Sequence, residues 1–296
     1  MDRPLALRAL RLINDFAMRK KLGTVSALLI LCFILLAVLA PLLAPYDPAL
    51  PNYREFLQPP SAQHWIGTDA MGRDVLSRIL HGTRISLITA FVPTFLSLAL
   101  GALLGMTAAL SGRKVDALIM RTADIVLAYP FMILAMAMIY NLGAGFVNLL
   151  LVLCLTGWAR TARLVRSETA RLKTSGFVEA ARTTGVGRIR IMARHILPNI
   201  RQTLLVLYTV NVPGAILSEA GLSFLGLGAQ PPLTSLGLMV AQGREHLFNA
   251  PWISLGPAFC VLLLAMSFNF LGDGIREYLD PTTRSEERRV GKECRS

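Results

Sequence analysis

The chain has 296 residues, of which 54% are hydrophobic and 16% are charged, and its mean hydropathy is +0.54. Soluble domains carry about 25% charged residues, so this composition excludes an ordinary water-soluble protein. The net charge of +12 does not indicate a nucleic-acid partner, because DNA- and RNA-binding domains place their basic face on a water-soluble body. The composition predicts an all-α, polytopic membrane protein whose main solvent is the lipid bilayer.

Six segments approach or exceed the roughly 20 mainly apolar residues that a membrane-spanning helix requires. The first follows a basic stretch, as a signal peptide would, but its apolar run exceeds the usual length of about 7–15 residues, which favours an uncleaved anchor. The fourth is short enough to suit a re-entrant or buried helix as well. The six predicted spans are Val25–Ala44, Ile85–Leu110, Ala117–Tyr140, Phe146–Ala159, Leu204–Leu222 and Ile253–Leu271.

Basic residues alternate between the predicted loops. Residues 1–22 carry six basic side chains, and residues 160–201 carry ten against two acidic ones. Residues 45–84 carry four of each sign, and residues 141–145 carry no charge. Because Lys and Arg concentrate in cytoplasmic loops, this alternation predicts six crossings with both termini in the cytoplasm.

The third predicted span contains a charged pair and a proline. A charge at the centre of a bilayer is unfavourable by roughly 2.5–3.5 kcal/mol, so Asp124 could mark a substrate site. Arg121 lies three residues earlier on the same helical face, which favours an ion pair near the end of the span. Pro130, near the middle of the span, predicts a kink.

Polar residues in the last two spans must face protein or water rather than lipid. Asn211 and Glu219 lie in the fifth span, and lining a pathway and filling a packed helix interface remain equally open for both. Asn269 in the sixth span is predicted to lie at an interface. The four histidines lack ligand-like spacing, so no metal site is predicted. Three cysteines lie in apolar runs and are predicted to pack as small hydrophobic residues.

The basic segment 160–201 has helical order of its own. Residues 160–173 are predicted to extend the fourth span as a helix, and a short helix from Phe177 to Thr184 follows a Thr-Ser-Gly break. Glu179 falls in the first turn of the short helix, where the helix dipole favours an acid, and Gly185 suits its C-terminal cap. Ala180 and Ala181 leave a thin surface that another protein could approach closely. Further on, His195 ends a second basic helix and Pro198 starts the next span.

Energy for transport would have to come from another chain, because the sequence contains no G-x-x-x-x-G-K-[ST] phosphate-binding loop. An ion-coupled secondary transporter is a weaker alternative, since it would be expected to show paired intramembrane acids or discontinuous helices. A membrane-embedded enzyme is weaker still, because Ser218 and Ser223 have no histidine in any predicted span to activate them.

The segment Glu179–Gly185, EAARTTG, followed after nine residues by HILP at His195–Pro198, resembles the EAA loop of ABC-importer permeases. His195 stands where the common form has Ile, a departure that is frequent in the peptide-importer branch. Residues 65–87, WIGTDAMGRDVLSRILHGTRISL, resemble the G-T-D-x-x-G-R-D segment of one of the two permeases in the dipeptide, oligopeptide and nickel importer class. Residues 217–232 resemble the fifth span of that class and its exit loop.

The resemblance covers about residues 20–284 and implies the type I ABC-importer permease fold in the bacterial inner membrane. It implies an anchor and periplasmic segment at 23–81, a type I transmembrane domain at 82–276 and a cytoplasmic C terminus at 277–284. Residues 285–296 match nothing in the class and are interpreted as a non-native tail. The implied ATPase-coupling residues are Glu179, Ala180, Ala181, Gly185, His195, Leu197 and Pro198.

The resemblance also implies the partners. A homologous permease would complete the pathway, two cytoplasmic ATPases would bind ATP and Mg²⁺, and a periplasmic or lipid-anchored protein would deliver the solute. This chain itself is expected to bind no cofactor and to catalyse no reaction. The cargo stays open among dipeptides, oligopeptides, glutathione and nickel chelates.

Overall fold

The computed structural model describes residues 20–279, and within that range it contains helices and no strand. Most of the predicted N-terminal segment 1–22 and of the C-terminal segment 277–284, and the whole tail 285–296, lie outside the described residues. The nine longer helices are α1 Lys21–Val38, α2 Val75–Leu110, α3 Arg113–Ala128, α4 Phe131–Leu142, α5 Phe146–Lys173, α6 Gly176–Thr183, α7 Leu197–Phe224, α8 Leu236–Gly243 and α9 Trp252–Leu279. Short helical turns lie at Ala40–Leu43, Tyr53–Glu55, Arg188–Ile191, Met192–Ile196 and Arg244–His246.

Five of these helical stretches are long and apolar enough to cross a membrane, and the bent pair α3–α4 makes a sixth span if it is counted as one. The pair bends by 97° between Ala128 and Phe131, which is a break rather than the predicted kink. The residue before a proline is forced out of the helical region, and Tyr129 accordingly has an extended backbone with ψ 139°. Hydropathy therefore predicted the third span but not its change of direction.

Helix α5 runs without interruption for 28 residues from Phe146 to Lys173, which confirms that residues 160–173 extend the fourth span. Its closest neighbour is α2, where Gly101 and Gly105 have the four-residue spacing that lets two membrane helices approach closely. A Cβ atom added at Gly101 would lie 2.6 Å from the carbonyl oxygen of Trp158, and one at Gly105 would lie 2.6 Å from that of Ala162. The backbones of α2 and α5 are thus in direct contact.

The largest apolar core joins α1, α2, α7, α8 and α9. Ile216 on α7 and Leu264 on α9 are fully buried within it. Phe91 on α2 packs edge-on against Phe268 on α9, with ring centroids 5.4 Å apart. Because these side chains come from both halves of the chain, this core fixes the anchor helix α1 to the rest of the bundle.

Residues 45–74 form an ordered unit rather than a plain connector. Asp69 is its centre, since Oδ1 accepts the backbone N–H groups of Met71 at 2.7 Å and Arg73 at 3.0 Å. Oδ2 of Asp69 accepts from Nε of Arg73 at 2.8 Å and also from buried Arg78. Arg78 in turn donates to Oε1 of Gln242 at 2.8 Å, which ties the unit to α8. The G-T-D-x-x-G-R-D segment therefore stabilises the 45–74 unit and holds it against α8.

The two ends of the bundle can be named by what they carry. The chain enters α1 beside the end of α9, where Lys20 forms an ion pair with Glu277. The same end carries α6, because α1, α2 and α9 all run between it and the 45–74 unit. We refer to it below as the α6 end.

Candidate functional site

Helix α6 is a short, well-defined helix between two membrane-crossing helices. Its first turn is closed by the backbone carbonyl of Ser175, which accepts from Val178 and Glu179, both at 3.0 Å. The Ser175 side chain instead donates to the carbonyl of Leu172, so the Thr-Ser-Gly break supplies no side-chain cap. At the other end Gly185 has φ +79°, the left-handed conformation predicted for its cap.

The two faces of α6 differ, and this corrects one expectation. Val178 is fully buried and Ala181 is 9% exposed, whereas Glu179 and Ala180 are exposed. Residues three apart share a helical face, so Val178 and Ala181 pack together against the return segment of the loop. The expectation that both alanines face outward is wrong for Ala181. The outward face instead contains Phe177, which is 45% exposed.

The return segment leads directly into α7. A turn at Arg188–Ile191 continues through a π-helical turn at Met192–Ile196, where the half-buried His195 ring lies 6.4 Å from the Phe177 ring. Leu197 and Pro198 are exposed in the first turn of α7, where a proline removes no helical hydrogen bond. Of the predicted coupling residues, Glu179, Ala180, Gly185, Leu197 and Pro198 are exposed.

Polar contacts fasten the α6 end to the neighbouring helices. Lys173 donates from Nζ to the carbonyl of Ala109 at 2.9 Å, and Arg166 binds both oxygens of Asp116 at 2.5 Å. Asp124 pairs with Arg163 of α5. The prediction that Asp124 pairs with Arg121 is therefore wrong, because the Asp124 carboxylate pairs with an arginine of the neighbouring helix α5.

A cleft of about 410 Å³ with a mixed polar and apolar lining opens where the α3–α4 break leaves space beside α2, α5 and α7. Asn211 and Ser218 line it from α7, and Arg160 lines it from α5. Threonine and serine hydroxyls add further polar groups to the cleft lining. The rest of the lining is apolar and includes the Tyr129 ring. These further lining residues include Thr94, Ser97, Thr156, Thr161, Tyr129, Phe131 and Leu134.

Glu219 lies on another face of α7 and is 1% exposed. The hydroxyls of Ser223 and Ser235 each donate to its Oε1 at 2.7 Å, and the Ser86 hydroxyl lies 3.4 Å from its Oε2. These contacts join α2, α7 and the start of α8. The sequence left both a pathway-lining position and a packed helix interface open for these two residues. In the structure Glu219 fills a packed interface, whereas Asn211 lines the cleft.

Asn269 was predicted to lie at an interface. It is exposed on α9, so it does not lie at an interface between the described helices. Its side chain is on the outward face of α9, opposite buried Phe268 and Ser267. Sequence reasoning also missed Arg160 as a cleft residue. The available signal was its position immediately after the fourth apolar run.

Five membrane-length apolar helices, a further bent pair, a cleft beside them and an exposed helix between two of them form an architecture that suits a membrane transport permease. Residues 101–285 match the family described as the binding-protein-dependent transport system inner membrane component, and residues 17–60 match the N-terminal TM domain of oligopeptide transport permease C. The chain belongs to this family of ABC-importer permeases, and it is a transport subunit rather than an enzyme. The family confirms the resemblance and contradicts both the secondary-transporter and the enzyme alternatives.

Relatives match over nearly the whole chain. The dipeptide transport system permease protein DppC of Alkalihalophilus pseudofirmus is 41% identical over 90% of this chain and 88% of its own length. The oligopeptide transport system permease protein OppC of Bacillus subtilis is 36% identical over 94% of this chain and 92% of its own. The glutathione transport system permease protein GsiD of Escherichia coli is 39% identical over 89% and 87%.

A solved structure supports the fold. A chain of the inward-facing MetNI methionine ABC transporter aligns with a TM-score of 0.57 over 69% of this chain and 98% of its own, at 20% identity. The predicted type I permease architecture is therefore confirmed.

Proposed function

We propose that this chain forms half of an ATP-driven import pathway for peptides or a related small solute, such as glutathione or a nickel chelate. The support for this cargo class comes from its relatives, which are named as dipeptide, oligopeptide and glutathione transport permeases. A homologous permease would supply the other half of the pathway, related to this one by a pseudo-two-fold axis. A periplasmic or lipid-anchored binding protein would deliver the solute.

The α6 end is the cytoplasmic end in this proposal, with both termini in the cytoplasm. The excess of basic residues in 1–22 and 160–201 supports this orientation. The 45–74 unit would then lie in the periplasm, where a binding protein arrives.

Helix α6 would couple ATP use to transport, and the observation that carries this is its two-sided construction. Val178 and Ala181 fasten one face to the permease, while Glu179, Ala180 and Phe177 remain exposed on the other. A helix held in this way can move as a rigid body with an ATPase that grips its exposed face. ATP and Mg²⁺ would bind to the ATPases and not to this chain.

Crosslinking tests the proposal with adjacent residues as test and control. In a chain whose own cysteines are replaced, Ala180→Cys is expected to crosslink to a cysteine in the ATPase groove, with a yield that changes with nucleotide. Ala181→Cys, one residue later on the buried face, is expected to crosslink weakly. Equal yields from both positions, or none from Ala180→Cys in an assembled complex, would contradict coupling through this face.

A further inference from the structure

Helix α5 carries four arginines, and three of them have acidic partners. Arg163, Arg166 and Arg171 form ion pairs with carboxylates of α3 or of α5 itself. Arg160 has no hydrogen-bond or ion-pair partner among residues 20–279. Arg160 is exposed where it lines the cleft, so water or a ligand can meet its charge there, and charged residues on membrane-crossing helices often mark functional sites.

The surroundings of Arg160 favour an anion as that ligand. Arg160 is the one charged side chain among the described residues that line the cleft, and no carboxylate faces it there. Asn211 and Ser218 add neutral polar groups on the opposite wall. The cleft therefore has a net positive charge and hydrogen-bonding groups around it.

The break between α3 and α4 adds to this preference. Phe131, the first residue of α4, lines the cleft, and the N-cap residue Pro130 supplies no side-chain cap. The uncapped N–H groups of this twelve-residue helix give its N-terminus a partial positive charge. The charge of Arg160 and the helix N-terminus thus have the same sign at one cleft.

We propose that Arg160 receives a carboxylate of the cargo as it passes through this cleft. The inference rests on the proposed transport function and names the chemical group that the pathway recognises. A guanidinium can bind both oxygens of a carboxylate through two parallel hydrogen bonds. The cleft volume of about 410 Å³ falls within the roughly 300–1,000 Å³ of small-molecule sites, enough for a short peptide.

A charge-selective labelling experiment tests the site without knowledge of the cargo. In the assembled complex, with the native cysteines replaced, Ala215→Cys places a thiol in the cleft lining. Its reaction rate is measured with a sulfonate-bearing and with a trimethylammonium-bearing methanethiosulfonate. Arg160→Gln is expected to lower the ratio of the anionic to the cationic rate by about tenfold, because it removes the one cleft charge.

Two matched variants decide whether the effect belongs to Arg160. Arg160→Lys keeps the charge and should keep most of the anion preference. The double variant Arg163→Gln, Asp124→Asn removes an ion pair one turn along α5 without changing the net charge, and should change the ratio by less than about twofold. A ratio that Arg160→Gln leaves unchanged, or that the double variant lowers equally, overturns the proposal.

Uptake by the reconstituted complex provides the second readout. Arg160→Gln is expected to lower uptake of dialanine about tenfold and that of its C-terminal amide less than about twofold, because only the former offers a carboxylate. Equal losses for both would overturn the carboxylate assignment. If the wild-type complex takes up neither, dialanine is not a cargo, and the labelling ratio alone decides the anion site.

Discussion

Ala180 and Ala181 are adjacent in the chain but lie on different faces of α6: Ala180 is exposed, whereas Ala181 is buried with 9% of its surface exposed. Ala181 belongs to an apolar cluster with Val178, Ile191 and Ile196, whereas Ala180 borders solvent. Substitutions at the two positions should therefore fail for different reasons.

Ala181→Arg is expected to destabilise the permease itself, since forcing extra atoms into a packed cluster costs about 1–3 kcal/mol before the buried charge is counted. Ala180→Arg should leave stability within about 0.5 kcal/mol, as surface changes usually do, while preventing ATPase binding. Thermal unfolding of the purified permease and co-purification of the ATPases measure the two effects separately. A normal melting temperature for Ala181→Arg would show that its side chain is not packed as described.

Gly185→Val should misdirect the end of α6 because φ is +79° there, a conformation unfavourable for side-chain-bearing residues by roughly 1–2 kcal/mol. A Cβ atom at Gly185 would meet nothing within 4 Å, so the effect is purely conformational. Gly187→Val is the matched control, because Gly187 is equally open but has φ −66°.

The measurement is substrate-stimulated ATP hydrolysis in the assembled complex, with limited proteolysis of the 160–201 loop. Only Gly185→Val should lower the rate of ATP hydrolysis and accelerate proteolysis of the loop. Similar behaviour of both valine variants would argue against the left-handed cap as the cause.

Gly101→Ala should destabilise the contact between α2 and α5, because the new methyl group would lie 2.6 Å from the Trp158 carbonyl. Overpacking of this kind costs about 1–3 kcal/mol. Gly214→Ala on α7 is the control, since nothing lies within 4 Å of its added Cβ atom. Gly101→Ala is expected to lower the melting temperature, and Gly214→Ala is expected to leave it unchanged.

Asp69→Asn should loosen the 45–74 unit. The change removes the negative charge that pairs with Arg78, whose side chain is 1% exposed, and breaking a buried pair costs about 3–5 kcal/mol. Asp47→Asn, in the same unit but exposed, should cost little. Protease cleavage within residues 45–74 distinguishes them, and equal resistance of both variants would refute the role given to Asp69.

Reporter fusions test the orientation. A reporter inserted at residues 141–145 or beside Gln230 should give a periplasmic signal, and one beside Arg171 a cytoplasmic signal. A periplasmic signal at Arg171 would contradict both the orientation and the coupling role of α6.

The span positions could be predicted from the sequence because hydropathy follows directly from composition along the chain. The left-handed Gly185 could be predicted as well, since glycine has a strong local preference for that cap position. The predicted helix end at His195 is wrong, because the backbone stays helical from Arg188 through Phe224. The turn of direction at Tyr129 could not, because hydropathy carries no information on helix direction. The pairing of Asp124 with Arg163 joins residues 39 apart in the chain, so only packing of α3 on α5 determines it.

Helix α5 runs uninterrupted from the cleft to Lys173, just before α6. From Arg160 to Lys173 it contains no glycine or proline, the residues at which helices usually bend, and spans about 20 Å. If this helix couples an anion site at Arg160 to α6, thermodynamic linkage requires that the two binding equilibria affect each other reciprocally. By whatever factor nucleotide on the ATPases changes the affinity of the cleft for an anion, an anion held at Arg160 changes the affinity of the ATPases for nucleotide by the same factor.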